Sequence, residues 1–427
     1  AALKDFDPDE PRDPKGEWTA SSGGLSAKEH ALSATDILDD KTEARKARSA
    51  STEEIGKELN DRGQAALKAL GVKSGKIEGP DPKTDELLAK VMAHEVATAL
   101  KGSRSGSGWY SAKMKETFKI AAKKWPEIGT DDNAKMALTA ALAITSQGEK
   151  VPSNVRLATE AYEAYRKTGQ FPHVAAANQK GVNGNFDKLN ALIKKAGPDG
   201  AREFLSRPFK VKQLTDMGYK ISGEVKTADV YGSAIFGPKI GQGFYQNLNQ
   251  NFKPMTFDLW WMRAWGRLTG TLTGGMDKEC LAKQKDRLVT AMGADAPRTD
   301  KALHSAAEAI VHAHERDFKT NRALFDDDVW DSGEKVKAEA TLAAERYLLG
   351  QHGLKEQPAG GAERQWMRSV GKRAMDILKS RGIDMTPADL QATWWYPEKT
   401  LYEKMGGIPA DNLDYADAFK AVMEKTK

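Results

Sequence analysis

From about residue 84 onward, apolar positions recur at helical spacing. Leu87, Leu88, Val91, Met92, Val96 and Leu100 form one stripe, and Ala137, Leu138, Ala141 and Leu142 form another. Side chains three and four residues apart share one helix face, so each stripe predicts a helix buried along one side. Residues 300–350 and 362–426 carry further amphipathic patterns, separated by Gln357-Pro358-Ala359-Gly360-Gly361. Strand-like alternation is scarce. The exception is residues 217–230, where Tyr219, Ile221, Val225 and Val230 around Gly223 predict a short irregular stretch or hairpin. The chain has no internal repeat, and its pattern predicts an all-α protein.

The opening residues, 1–85, read differently. Pro, Gly, Ser and charge dominate, as in Asp7-Pro8-Asp9-Glu10-Pro11-Arg12-Asp13-Pro14, which predicts a largely extended or flexible tail. Within it, residues 26–70 can supply short helices. The spacing of Ile55, Leu59, Ala65, Leu67 and Leu70 marks one that docks on the main body. The expected organisation is therefore a tail over 1–85, a helical core over 86–290 and a C-terminal helical region over 291–427 that packs on the core.

Composition narrows the function classes. A chain of 427 residues, 40% hydrophobic and 29% charged, can bury a substantial core. Its single cysteine, Cys280, excludes an internal disulfide, a four-cysteine zinc site and a cysteine-ligated iron–sulfur cluster within one chain. No apolar run is long enough to span a membrane, and the N-terminus lacks the basic-then-apolar pattern of a signal peptide, so a cytoplasmic location is expected. The net charge of +5 is mildly basic and does not announce nucleic-acid binding unaided. Acidic residues gather near the start (Asp5, Asp7, Asp9, Glu10), which leaves the middle richer in Lys and Arg.

Candidate chemistry concentrates in Tyr231 to Gly270. Gly237 permits an unusual backbone turn, Pro238 suits a helix start, and Lys239 falls in the opening turn of a helix over 240–248. The positive end of that helix, together with burial, favours a neutral amine able to attack. Gly241 and Gly243 allow another backbone to approach closely. Asp258 is placed to cap the helix that carries Trp260, Trp261 and Trp265, and a carboxylate held by helix amides stays ionised. Such an anion can stabilise the positive charge that develops on a sugar as its base departs.

These residues resemble the helix-hairpin-helix DNA glycosylases, the superfamily of endonuclease III and the 8-oxoguanine glycosylases. Its members share a G-x-G-x-K hairpin, a helix, and then V-D-x-x-x-x-R-x-x-x-R-L. Gly237-Pro238-Lys239 matches the hairpin, Asp258 follows the lysine by 19 residues, and Arg263 and Arg267-Leu268 keep the register. Upstream, Leu142 to Asn154 is similar to the family's L-L-S-x-Q-x-x-x-x-x-x-N stretch. The resemblance covers about a third of the chain. It implies a two-lobed helical core with extra N- and C-terminal helical segments. It further implies a glycosylase with an AP lyase step, in which Lys239 forms a Schiff base and Asp258 stabilises the sugar cation. Gln147, Gly237, Ile240 and Gly241 would lie along the DNA, and Asn154 would support the local fold. The implied partner is double-stranded DNA with a damaged or modified base, bound by a monomer without metal or organic cofactor.

The chain departs from the family where Ile235 occupies the hairpin's first glycine position and Ala234 stands where proline is frequent, which implies altered phosphate binding. A non-catalytic DNA-binding or virion-associated protein on the same scaffold is the rival reading. Phe6 to Trp18 is similar to segments of phage-encoded head and multi-domain proteins. Arg263 and Arg267 suit ion pairs as well as phosphate contacts. The three tryptophans suit the core, with one open to stacking on an extruded base. Trp394-Trp395-Tyr396-Pro397 reads as an anchor for the C-terminal helices. His312, His314 and Glu315 lack the i, i+4 histidine pair of a zinc helix.

Overall fold

The computed structural model describes residues 24–39, 52–102, 108–273, 278–321, 339–348 (save 342 and 345), 353–406 and 415–425. The acidic start, the Phe6–Trp18 segment and the side chains of Cys280, His312, His314 and Glu315 lie outside that description.

The described chain is all-α apart from one strand pair. In order it forms α1 (Ala27–His30), α2 (Ala34–Asp39), α3 (Thr52–Ala69), α4 (Pro82–Lys101), α5 (Met114–Lys124), α6 (Asp132–Thr145), α7 (Val151–Thr168) and α8 (Gln179–Ser206). There follow β1 (Pro208–Lys210), α9 (Val211–Asp216), β2 (Asp229–Tyr231), α10 (Gln246–Leu248) and α11 (Leu259–Thr269). Then come α12 (Lys278–Met292), α13 (Asp300–Asn321), α14 (Gly361–Ser380), α15 (Pro387–Lys404) and α16 (Tyr415–Lys425). β1 and β2 are antiparallel, with Phe209 opposite Val230. The strands thus frame the irregular stretch 217–228 instead of lying within it.

Each long helix has a legible cause. α4 starts on Asp81, whose carboxylate accepts from the amides of Lys83 and Thr84, with Pro82 in the first helical position. α6 begins on Asp131 in the same way, and α7 ends on Gly169 in the left-handed conformation. The predicted stripe of α4 is buried through Leu88, Val91, Met92 and Val96, whereas Leu87 and Leu100 lie at its margin. In α3, Ile55, Leu59 and Leu67 are buried as the spacing requires, but Ala65 faces out, and Gly63 and Ala66 take its place.

Two main cores result. One gathers α5 to α8, the segment 235–248 and α16 around Tyr110, Trp125, Phe186, Tyr245 and Phe419. The other gathers α3, α4, α11, α14 and α15 around Trp261, Trp265, Trp366 and Trp394, with Trp261 edge-on to Trp394 and Trp265 edge-on to Trp366. α15 serves both, giving Trp395 to the first and Leu390 and Trp394 to the second. A smaller cluster joins Leu288, Leu303, Ala307 and Tyr347. Among the described residues, no helix is long and apolar enough to cross a membrane.

Candidate active site

The turn bearing Lys239 is built by absent side chains. Gly232–Phe236 forms a single 3-10 turn, Gly237 follows at φ +105°, and residues 240–245 wind as a π-helix that passes into α10. Its five-residue bonds run from the amides of Gln242 and Phe244 to the carbonyls of Gly237 and Lys239. A Cβ on Gly241 would sit 1.6 Å from the Ser233 carbonyl oxygen, and one on Gly243 would sit 2.6 Å from Thr256 Oγ1. Only glycine lets these segments meet. Around them, Gln246 Nε2 donates to Ser233 Oγ and to the Leu205 carbonyl, while Lys188 and Asn185 from α8 donate to the carbonyls of Ile235 and Phe236.

From α10 the chain turns through 249–257 to Asp258. Asn247 fixes this loop by donating to the carbonyls of Asn251 and Pro254 and accepting from Thr256 Oγ1. Asp258 caps α11 as predicted, its Oδ1 accepting from the Trp261 amide at 2.9 Å. Burial lifts the carboxyl above the usual range, and four groups work against that lift: Lys239, the Trp261 amide, Lys399 and the Trp395 indole. The Trp395 N–H makes no hydrogen bond of ordinary geometry, so its influence is that of a nearby dipole. One helix amide therefore holds the carboxyl, and desolvation outweighs it, against the expectation that capping keeps the group ionised.

Lys239 and Asp258 are thus brought within electrostatic reach of each other. Lys239 itself is exposed, so the burial expected for it is not found. Pro238 and Lys239 lie on the outer side of the turn, and only Ile240 points into the core. Burial does affect two other lysines, Lys188 on α8, whose Nζ donates to the Ile235 carbonyl, and Lys399 in α15. Its Nζ lies 5.6, 5.7 and 5.8 Å from the ring centres of Trp395, Tyr396 and Trp260. Desolvation there favours the neutral amine, opposed by the charges of Asp258 and Glu403. Tyr110 closes the back of the group, its hydroxyl donating to Gln391 Oε1 at 3.1 Å, and burial together with the Asp258 charge keeps it protonated.

The remaining candidates are placed as follows. Gln147 spends its amide inside the protein: Nε2 donates to the Ile144 carbonyl at 2.9 Å and Oε1 accepts from Asn178 at 3.3 Å. No described contact joins it to Lys239 or Asp258. The Gly241 amide already donates to the Gly237 carbonyl, and Ile240 is buried. Asn154 supports the local fold, its Nδ2 donating to the Leu142 carbonyl and Thr145 Oγ1. Arg263 pairs with Glu356 and lies over Trp260 and Tyr402, and Arg267 is fully enclosed between Glu95 and Glu398. Both arginines are structural. Trp261 and Trp265 are core, whereas Trp260 borders the site.

No family model, no curated protein and no solved structure matches the chain.

Lys399 is the residue that sequence reasoning missed. The signal was its position four after Trp395, which places both on one face of α15. Among the described residues one group of potential metal ligands occurs, His30, Asp36 and His94. It belongs to α1, α2 and α4, none of which contributes to the Asp258 site.

Proposed function

We propose that the chain is a DNA glycosylase with a lyase step, acting on double-stranded DNA that carries a damaged or modified base. The observation that carries this reading is a half-buried, helix-capping carboxylate, Asp258, acted on by an exposed lysine, Lys239, and a half-buried one, Lys399, beside a bank of aromatic rings. Residues joining two apolar cores meet there, which supports the two-lobed helix-hairpin-helix arrangement implied by the motif. Lys239, on the outer side of its turn, is the group that a sugar on bound DNA reaches first.

In the reaction, the C1′–N bond breaks and its electron pair leaves with the base. The Asp258 anion offsets the positive charge on the sugar, an interaction strengthened by low surrounding polarity. The Lys239 amine bonds to C1′ and gives up a proton. The sugar ring opens to a protonated Schiff base, and loss of a C2′ proton expels the 3′ phosphate, nicking the strand. Trp260 and Tyr396, both half-buried, are the rings on which an extruded base can stack. Lys399 acts as a positioning residue that keeps Asp258 ionised.

A specific observation favours a second reading, a non-catalytic DNA-binding or virion-associated protein. The Gly241 amide and the Gln147 amide group are already bonded within the chain. Borohydride trapping on duplexes with 8-oxoguanine, oxidised pyrimidines, uracil, 5-hydroxymethyluracil or an abasic site separates the two. The glycosylase reading expects a covalent adduct that Lys239→Gln abolishes. Salt-dependent DNA binding with neither adduct nor base release supports the second reading.

A further inference from the structure

His30 closes α1, Asp36 lies in the first turn of α2, and His94 sits on α4. Three separate helices thus deliver two imidazoles and a carboxylate to one point. His30 Nδ1 lies 3.1 Å and His94 Nε2 lies 3.2 Å from the same oxygen, Asp36 Oδ2, and all three ligand atoms fall within 4.8 Å of one another. Four ligands about 2.0–2.1 Å from a tetrahedral metal are separated from one another by roughly 3.3 Å. The two histidine-to-aspartate spacings are close to that edge length. Asp36 Oδ2 is enclosed, and both ring nitrogens converge on that one oxygen at ion-pair distance. His30 and His94 stand edge to face with ring centres 5.1 Å apart, an arrangement that spreads their nitrogens around a common centre.

We propose that His30, Asp36 and His94 form a binding site for a divalent transition metal, with zinc the best chemical match. Two imidazoles are borderline donors that suit zinc over magnesium or calcium, which prefer sites built from oxygen alone, and the hard carboxylate is compatible with zinc as well. Three protein ligands leave one position for water or an anion. His30 and Asp36 also line a surface concavity of about 500 Å³, together with Arg62 and Ala66 among others, which gives solvent access to two of the three ligands. The metal joins α1 and α2 to α4. α2 is also tied to α4 by the Ala34 amide, which donates to Glu95 at 2.6 Å, one residue beyond His94. The site is independent of the glycosylase reading and its test requires no DNA.

The test is metal binding by the full, tag-free chain after chelator treatment and dialysis. Cobalt(II) is titrated first for its visible absorption and then displaced by zinc. The expected result is saturation at one equivalent with the strong absorption of tetrahedral cobalt, bleached by zinc. Asp36→Asn and His94→Ala are expected to weaken binding on the order of 100-fold. Circular dichroism of the metal-free variants checks folding. If His94→Ala fails to fold, His30→Gln, on the short exposed α1, gives the same reading. Absence of saturable binding in the parent chain overturns the proposal, as does unchanged affinity in the folded variants.

Discussion

In the proposed reaction Asp258 serves two purposes that set opposite demands on its proton. As a helix cap it needs only an acceptor oxygen for the Trp261 amide, but as the anion facing a sugar cation it must be ionised, and burial opposes that. Lys239 and Lys399 offset the opposition through their charges. The consequence is a pH dependence with a definite sign. Lys399→Met removes one of the charges that keep Asp258 ionised, so the carboxyl holds its proton to a higher pH. The acid limb of base release is then expected to move to higher pH, whereas Lys399→Arg leaves it in place. A pH–rate profile of single-turnover base release reads this directly. At this scale the sequence was informative where backbone and side chain demand the same residue. Asp258 and Gly237 were legible because a cap and a left-handed turn each require few residue types. Lys399 was not, since it enters from a helix 141 residues after Asp258, and its spacing from Trp395 marks a shared helix face but not which residue that face meets.

The turn and helix that carry Lys239 show how much an element depends on what it lacks. Residues 240–248 were legible as a helix with close backbone approach at Gly241 and Gly243, and the structure places Ser233 and Thr256 against them. The π form of its first half was not legible. It follows from tertiary bonding to the 3-10 turn, which no local propensity encodes. Gly241→Ala is accordingly expected to destabilise the protein by about 1–3 kcal/mol or more, because the added methyl meets backbone that has little room to move. Urea denaturation followed by tryptophan fluorescence measures it. Exposed Lys180, on α8, offers a nearby control, since its change to Ala is expected to fall within about 0.5 kcal/mol.

Across the whole molecule, a buried charge cluster links distant parts of the chain. Arg267 on α11 donates to Glu398 on α15 at 2.8 Å and to Glu95 on α4 at 2.9 Å, and also reaches the Leu32 carbonyl ahead of α2. Burial opposes the guanidinium charge, but the two carboxylates outweigh it and hold the proton more firmly than usual, while burial pushes Glu398 upward against the pull of Arg267. Arg267→Met leaves two enclosed carboxylates without a partner and is expected to cost about 3–5 kcal/mol. The deficit should shrink in acid, where protonation relieves the uncompensated charge, so denaturation at two pH values tests both size and sign. The helical stripes revealed the all-α class, but not which helices share a core. α15 joins both main cores through adjacent tryptophans, a pairing that depends on three-dimensional neighbours separated by more than a hundred residues.

The central claim is that Lys239 and Asp258 form a site for base excision, and borohydride trapping on the panel of modified duplexes tests it most directly. The account predicts a covalent protein–DNA adduct on at least one duplex, lost in Lys239→Gln. An adduct retained in that variant, or DNA binding with neither adduct nor base release on any duplex, would contradict it.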